Sequence, residues 1–204
     1  MSGIDADAEQ IRVYSEINDG LWKMLERGEI ERSVLLYRRF ELFCERYGYE
    51  VDAKKIAADY MLTLSTKGYL FEGVREMLER LHGKVRMYII TNGVEFIQRG
   101  RYARADIGRY FEDIFISETI GYQKPDVRYF EHVASKIEGF DKAETLVVGD
   151  SLTADIKGGN AFGVDTCRYD PTRSPVRGDI VPTYSVGDFE EICDIILGRN
   201  ECGE

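Results

Sequence analysis

From about residue 68 onward, short apolar runs alternate with segments long enough to be helices, and this alternation constrains the fold more than any other feature of the chain. A helix over 73–82 precedes a strand over 85–90, and a helix over 94–105 precedes a short strand over 114–117. A helix over 126–137 precedes the strand Leu146-Val147-Val148, and a helix over 152–161 leads to a strand over 164–168. Parallel strands need helix-length crossovers, whereas antiparallel neighbours can be joined by tight turns. The pattern therefore predicts an α/β fold with a parallel sheet built of βαβ units. Pro171, Pro175 and Pro182 mark a long loop over 169–183, before a last strand and a helix over 188–197.

Residues 8–66 carry helical signals only. Ile11, Tyr14, Ile17, Leu21, Met24 and Leu25 recur at helical spacing. So do Val34, Leu35, Tyr37, Phe40, Leu42, Phe43 and Cys44, and then Ile56, Ala57, Tyr60, Met61 and Leu64, with Gly28 and Gly48 at the joins. The expected organisation is a three-helix unit over 1–67 and an α/β core over 68–204. The aromatic residues of the first unit read as core packing, although Trp22 or Tyr37 could face a ligand.

A net charge of −10 argues against a nucleic-acid partner, whose affinity comes from clustered Lys and Arg on phosphates. A small anionic substrate stays compatible if a metal supplies local positive charge. No apolar run approaches a membrane span and the N-terminus has no signal-peptide pattern, so a cytoplasmic protein without membrane contact is expected. Cys44, Cys167, Cys193 and Cys202 lack Cys-x-x-Cys spacing and read as reduced thiols. His82 and His132, the two histidines, are too few for a multi-histidine metal site and stand beside no nucleophile motif; both read as structural.

Three places carry candidate chemistry. The Leu146–Val148 strand stops at Gly149 and delivers Asp150 at once, with Asp155 five residues on, where a helix begins. Carboxylates at the carboxyl end of a buried strand sit where open α/β sheets bind ligands, and oxygen donors there suit Mg²⁺. The structural alternative is a helix N-cap at Asp150 or Ser151, with Asp155 solvated. The run Tyr88-Ile89-Ile90 ends in Thr91-Asn92-Gly93, a phosphate cradle or, alternatively, a capped helix start. Lys124 lies before Pro125-Asp126 in a stiff loop ahead of a helix, placed to neutralise a phosphate oxygen or, alternatively, simply on the surface.

The order of these motifs resembles the haloacid dehalogenase superfamily of phosphohydrolases over nearly the whole chain. Gly121-Tyr-Gln-Lys-Pro-Asp126, Gly149-Asp-Ser-Leu-Thr-Ala-Asp-Ile-Lys-Gly-Gly159 and Val164-Asp-Thr-Cys167 are similar to the branch of pyrimidine 5′-nucleotidases that act on noncanonical nucleotides. The resemblance implies a Rossmann-like core with residues 1–67 as a helical cap, Mg²⁺ as cofactor and a small phosphorylated substrate, a nucleotide. It implies that Thr91 hydrogen-bonds the transferring phosphoryl group, with the Asn92 backbone and Gly93 assisting. Lys124 would offset charge on the nucleophile and the phosphoryl oxygens. Asp150 would bind Mg²⁺, and Asp155 would ligate it or orient Lys124 and the metal ligands.

The first motif of that family, an apolar strand ending Asp-x-Asp-x-Thr, carries the nucleophile and the acid/base aspartate and should precede the cap. Asp5-Ala6-Asp7 has the right separation, but only Met1 to Ile4 lie upstream and no Thr follows, so Asp5 or Asp7 reads as a helix N-cap or a first-turn acid. The expectation is that the first core strand is missing. The explanations are a start placed too late, a shortened gene, or a variant that closes the gap by rearrangement or with a strand from another chain in an oligomer. The expected activity is Mg²⁺-dependent hydrolysis of nucleoside 5′-monophosphates through a phospho-aspartate, with the chain as given inactive. The alternatives are a noncatalytic phosphate- or nucleotide-binding protein, a sugar-phosphate phosphatase, or a dehalogenase. The last needs no Mg²⁺, which the Asp150 and Asp155 pair counts against.

Overall fold

Helix α1 (Ala8–Glu26) starts on a reciprocal cap: the Asp7 carboxylate accepts from the Gln10 amide at 2.8 Å, and the Gln10 side chain accepts from the Asp7 amide at 3.0 Å. Of the alternatives the sequence allows for Asp7, N-cap or first-turn acid, the structure selects the N-cap. The computed structural model describes residues 6–176 and 178–201; Asp5 and Cys202 lie outside them.

The chain divides into two compact units, Met1–Lys67 and Gly68–Glu204. In the first, α1 is followed by α2 (Arg32–Tyr47) and α3 (Ala53–Ser65). Gly48 ends α2 in the left-handed conformation (φ 69°), which glycine adopts without the steric penalty other residues meet. The face of α2 carrying Phe40, Phe43 and Cys44 packs on Ile56 and Ala57 of α3. Leu35 packs on Leu21 and Leu25 of α1 and is fully buried, which stabilises by about 1.5–3 kcal/mol. Trp22 joins the Leu35 cluster and Tyr37 the Phe40 cluster. Arg39 is also buried, its guanidinium 5.0 Å from both the Phe40 and Tyr60 ring centres and donating to Asn18 Oδ1 at 3.0 Å.

The second unit runs α4 (Val74–Leu81), β1 (Tyr88–Thr91), α5 (Glu95–Ala105), β2 (Asp113–Ile116), α6 (Ser117–Ile120), α7 (Val127–Lys136) and β3 (Leu146–Gly149). A π turn (Leu152–Ile156), α8 (Lys157–Phe162), β4 (Asp165–Tyr169), β5 (Tyr184–Val186) and α9 (Phe189–Glu201) complete it. Strand β1 begins at Tyr88 rather than 85 because the Val85 amide is still bonded to the Leu81 carbonyl, finishing the turn after α4. The single turn α6 and the 3₁₀ turn Gly108–Tyr110 escape the sequence pattern, being too short to show a helical period.

Among the described residues every strand pairing is parallel, as the helix-length crossovers predict. Among the described residues the strands form two pieces, β1–β2 and β3–β4–β5, so β1 and β3 each keep one edge without a strand. Val148, in the middle of β3, is accordingly 37% exposed while Val147 beside it is buried. One apolar cluster spans both pieces. It contains Phe115 of β2, Tyr129, Phe130 and Val133 of α7, Val147 of β3 and Phe162 of α8, with Tyr88 and Ile90 of β1 packed against it.

Cys44, Cys167 and Cys193 are buried free thiols, as expected. His82 ends α4 with its ring set edge-on to Tyr110. Among the described residues no helix is long and apolar enough to cross a membrane.

Candidate active site

The candidate residues lie at the carboxyl ends of β1 and β3 and, for Lys124, in the loop between α6 and α7. Thr91 is the last residue of β1. Its amide donates to the Tyr129 hydroxyl at 3.1 Å, and that hydroxyl donates to the Phe115 carbonyl at 2.7 Å, so one buried phenol ties α7 to the ends of β1 and β2. Burial pushes the Tyr129 phenol well above its ordinary range, because the phenolate would lose its hydration. The Thr91 hydroxyl accepts from the Gly93 amide at 3.0 Å, closing the turn that follows the strand. These residues do not cap the next helix. The N-cap of α5 is Val94, with no side-chain bond, and the Glu95 amide is held from outside by the Glu118 carboxylate at 2.7 Å.

Asn92 fastens the lysine loop. Its side-chain Nδ2 donates to the Lys124 carbonyl at 2.8 Å, and its Oδ1 accepts from the Lys124 amide at 2.9 Å, a two-way bond like that between paired strands. The Lys124–Pro125 peptide is cis. Lys124 is buried rather than on the surface. Its ammonium donates to the Ile90 carbonyl at 3.0 Å and to Asp155 Oδ1 at 2.6 Å. The second oxygen of Asp155 accepts from the Ser151 amide at 3.1 Å.

Asp155 is therefore not the solvated helical residue of the structural alternative; it is 5% exposed, with both oxygens engaged. A buried carboxylate and ammonium hold only when paired and hydrogen-bonded, and each here satisfies the other. Gly149 makes the room: a Cβ there would lie 2.3 Å from the Asp155 carboxyl carbon, so any larger residue would push the pair apart.

Asp150 is the opposite case. It is exposed just beyond β3 and, among the described residues, makes no hydrogen bond or ion pair. Capping of the following turn falls to Ser151, whose hydroxyl accepts from the Ala154 amide at 3.1 Å. The Ile156 amide reaches back to the Ser151 carbonyl at 3.1 Å, the π spacing that widens the turn bearing Asp155. Among the described residues no three His, Cys, Asp or Glu side chains gather to hold a metal. An uncommitted carboxylate at a strand end nonetheless fits a hard cation that takes one or two protein oxygens and fills its remaining positions with water and phosphate.

The structure thus brings Asn92, Lys124 and Asp155 into direct contact, with Thr91 and Gly93 in the turn around Asn92 and Asp150 beside Ser151. Sequence reasoning missed Tyr129, which looks like any apolar residue on a helix face. It also missed the Ile90 carbonyl, a backbone group that no side-chain pattern can mark.

The family model for haloacid dehalogenase-like hydrolases matches residues 4–163, and the chain belongs to that family. HAD-hydrolase YfnB of Bacillus subtilis strain 168 is 38% identical over 187 residues, covering 92% of this chain and 80% of that protein. Pyrimidine 5′-nucleotidase PynA of Streptococcus pneumoniae is 37% identical over 184 residues, covering 90% of this chain and 78% of the relative. The crystal structure of YfnB bound to magnesium matches with a TM-score of 0.87 at 36% identity, over 95% of this chain and 85% of that one.

Proposed function

We propose that the protein acts as a Mg²⁺-dependent phosphomonoester hydrolase on nucleoside 5′-monophosphates, through a carboxylate nucleophile on a strand seated between β1 and β3. The observation that carries this reading is the Lys124–Asp155 pair. It spans from the Ile90 carbonyl of β1 to the turn after β3, beside the two strand edges that lack a partner among the described residues. A buried ion pair is weak as a stabilising device, since well-packed apolar residues often serve as well. A lysine held there does have a chemical use, offsetting charge on an attacking carboxylate and on phosphoryl oxygens.

The other residues take compatible parts. The Thr91 hydroxyl accepts from the Gly93 amide and keeps its own proton for a phosphoryl oxygen. The Asn92 backbone assists, while the Asn92 side chain sets the height of Lys124. Asp150 is the residue that would hold Mg²⁺, and Asp155 orients Lys124. When bound, Mg²⁺ supplies positive charge opposite the phosphoryl oxygens. Residues 1–67 act as the cap. The name of PynA, a pyrimidine 5′-nucleotidase, supports the nucleotide as substrate. A strand between β1 and β3 would satisfy both free edges; if it came from another chain the active form would be an oligomer.

Release of inorganic phosphate from UMP tests the reading. The 204-residue chain is expected to release none. A chain extended upstream by an apolar strand ending Asp-x-Asp-x-Thr should release it in the presence of Mg²⁺ and lose that activity on Asp150→Ala. Steady release by the 204-residue chain that survives Asp150→Ala overturns the proposal. The ordered Thr91 turn and Asn92-held lysine loop also favour a second reading, a noncatalytic nucleotide-binding protein, since holding a phosphate needs no nucleophile. A folded, extended chain that binds UMP without hydrolysing it would establish that reading instead.

A further inference from the structure

Resting on the phosphate site proposed at Thr91 and Lys124, we infer that Tyr122 is the platform on which the nucleobase of the substrate stacks, with Arg128 holding its ring in place. Tyr122 is 40% exposed and belongs to none of the apolar clusters of the second unit, so packing does not account for an aromatic residue there. It stands two residues before Lys124. Consecutive Cα atoms are about 3.8 Å apart, so its Cα is within about 7.6 Å of the Cα of Lys124.

The loop that carries Tyr122 is tied down on both sides. The Gly121 amide bonds to the Ser117 carbonyl at 3.0 Å, ending α6, and the Lys124 amide is held by Asn92 at 2.9 Å. The ring itself is braced. The Arg128 guanidinium carbon lies 4.5 Å from its centroid, and Arg128 Nε donates to both oxygens of Asp126 at 3.0 Å. Asp126 is fixed in turn because it caps α7, accepting from the Arg128 amide at 2.9 Å. The guanidinium thus lies between this carboxylate and a ring that is otherwise open to solvent.

An aromatic surface ordered in advance loses little side-chain entropy when a planar group lands on it. Every nucleobase offers such a group, and stacking on tyrosine needs no particular hydrogen-bond pattern. A second exposed ring, Phe96, stands on the first turn of α5, where Glu118 of α6 binds the amide of the preceding residue. The position next to Lys124 suits a phosphomonoester whose organic part ends in an aromatic base, rather than a bare sugar phosphate.

Calorimetric titration of the purified chain with UMP and with ribose 5-phosphate, in Mg²⁺ buffer, separates this inference from the reading beneath it. Tyr122→Ala should weaken UMP binding about tenfold, leave ribose 5-phosphate unchanged, and be rescued by Tyr122→Phe. If Tyr122→Ala changes neither ligand, or weakens both alike, the platform is refuted while the phosphate site stands. If the unsubstituted chain binds neither ligand, the phosphate site fails and the platform fails with it.

Discussion

The ion pairs of the helical unit and the polar contacts of the strand-end site differ in reach, while apolar packing between helices and the Arg39–Asn18 bond hold the unit itself. In the first unit, ion pairs such as Arg27–Glu29, Glu9–Arg12, Asp19–Lys23 and Arg38–Glu45 join residues two to seven apart. At the site, Asn92 and Lys124 are 32 residues apart, Lys124 and Asp155 31, and Thr91 and Tyr129 38. The first kind can form in any helix of that sequence, exposed and screened by water and salt. The second exists only when β1, α7 and the turn after β3 are already assembled, and water is excluded from much of it. The comparison teaches that local contacts here decorate structure, while the distant ones weld it.

If that contrast is right, Lys124→Ala should be the most damaging single change. It leaves Asp155 buried without its cation, a loss expected at about 3–5 kcal/mol by urea denaturation. The double change Lys124→Met with Asp155→Leu should recover much of that stability, since no charge is then stranded. A single-mutant loss below about 1 kcal/mol would place the pair with the surface bridges.

Next in size, Tyr129→Phe removes the hydroxyl that serves the Thr91 amide and the Phe115 carbonyl together, and should cost about 1–3 kcal/mol in the same assay. The variant should also change the alkaline limb of the stability profile. Because burial raises the phenol in the folded state, above about pH 10 the unfolded chain releases its proton while the native chain holds it, so stability falls as pH rises. The Tyr129→Phe protein has no phenol to titrate at that position, so this contribution disappears and the alkaline fall becomes shallower.

Smaller effects belong to the helical unit. Asp7→Ala should cost about 1 kcal/mol by opening the capping box of α1, read as a loss of helical circular dichroism at a lower denaturant midpoint. Arg12→Ala, which removes exposed pairs to Glu9 and Glu16, should leave the unfolding midpoint where it was. A large shift there would mean that the surface pairs of the first unit are more than local.

The same contrast explains what could be read before folding. The three helices of the first unit follow from apolar spacing and from Asp7, Gly28 and Gly48, because helical period and caps depend on residues within a turn or two. The parallel strands follow from the length of the segments between them. At the site, Thr91, Lys124 and Asp150 could be marked because each follows or precedes a recognisable strand or helix boundary. The structural alternative for Asp155 failed where exposure had to be judged: the same five-residue spacing suits a solvated first-turn acid or a buried partner, and only the room above Gly149 and the approach of Lys124 distinguish them.

The sequence by itself determined the three helices of the first unit, the parallel α/β core and the membership of a hydrolase family whose motifs it carries. The tertiary structure alone decided that Lys124 is buried, that its partner is Asp155 while Asp150 stays uncommitted, that the Asn92 side chain locks the lysine loop, and that Tyr129 bridges two strand ends. The physical reason is range. Period and capping are settled by neighbours along the chain, whereas desolvation and charge pairing depend on which distant groups the sheet and its helices bring within 3 Å or so of one another.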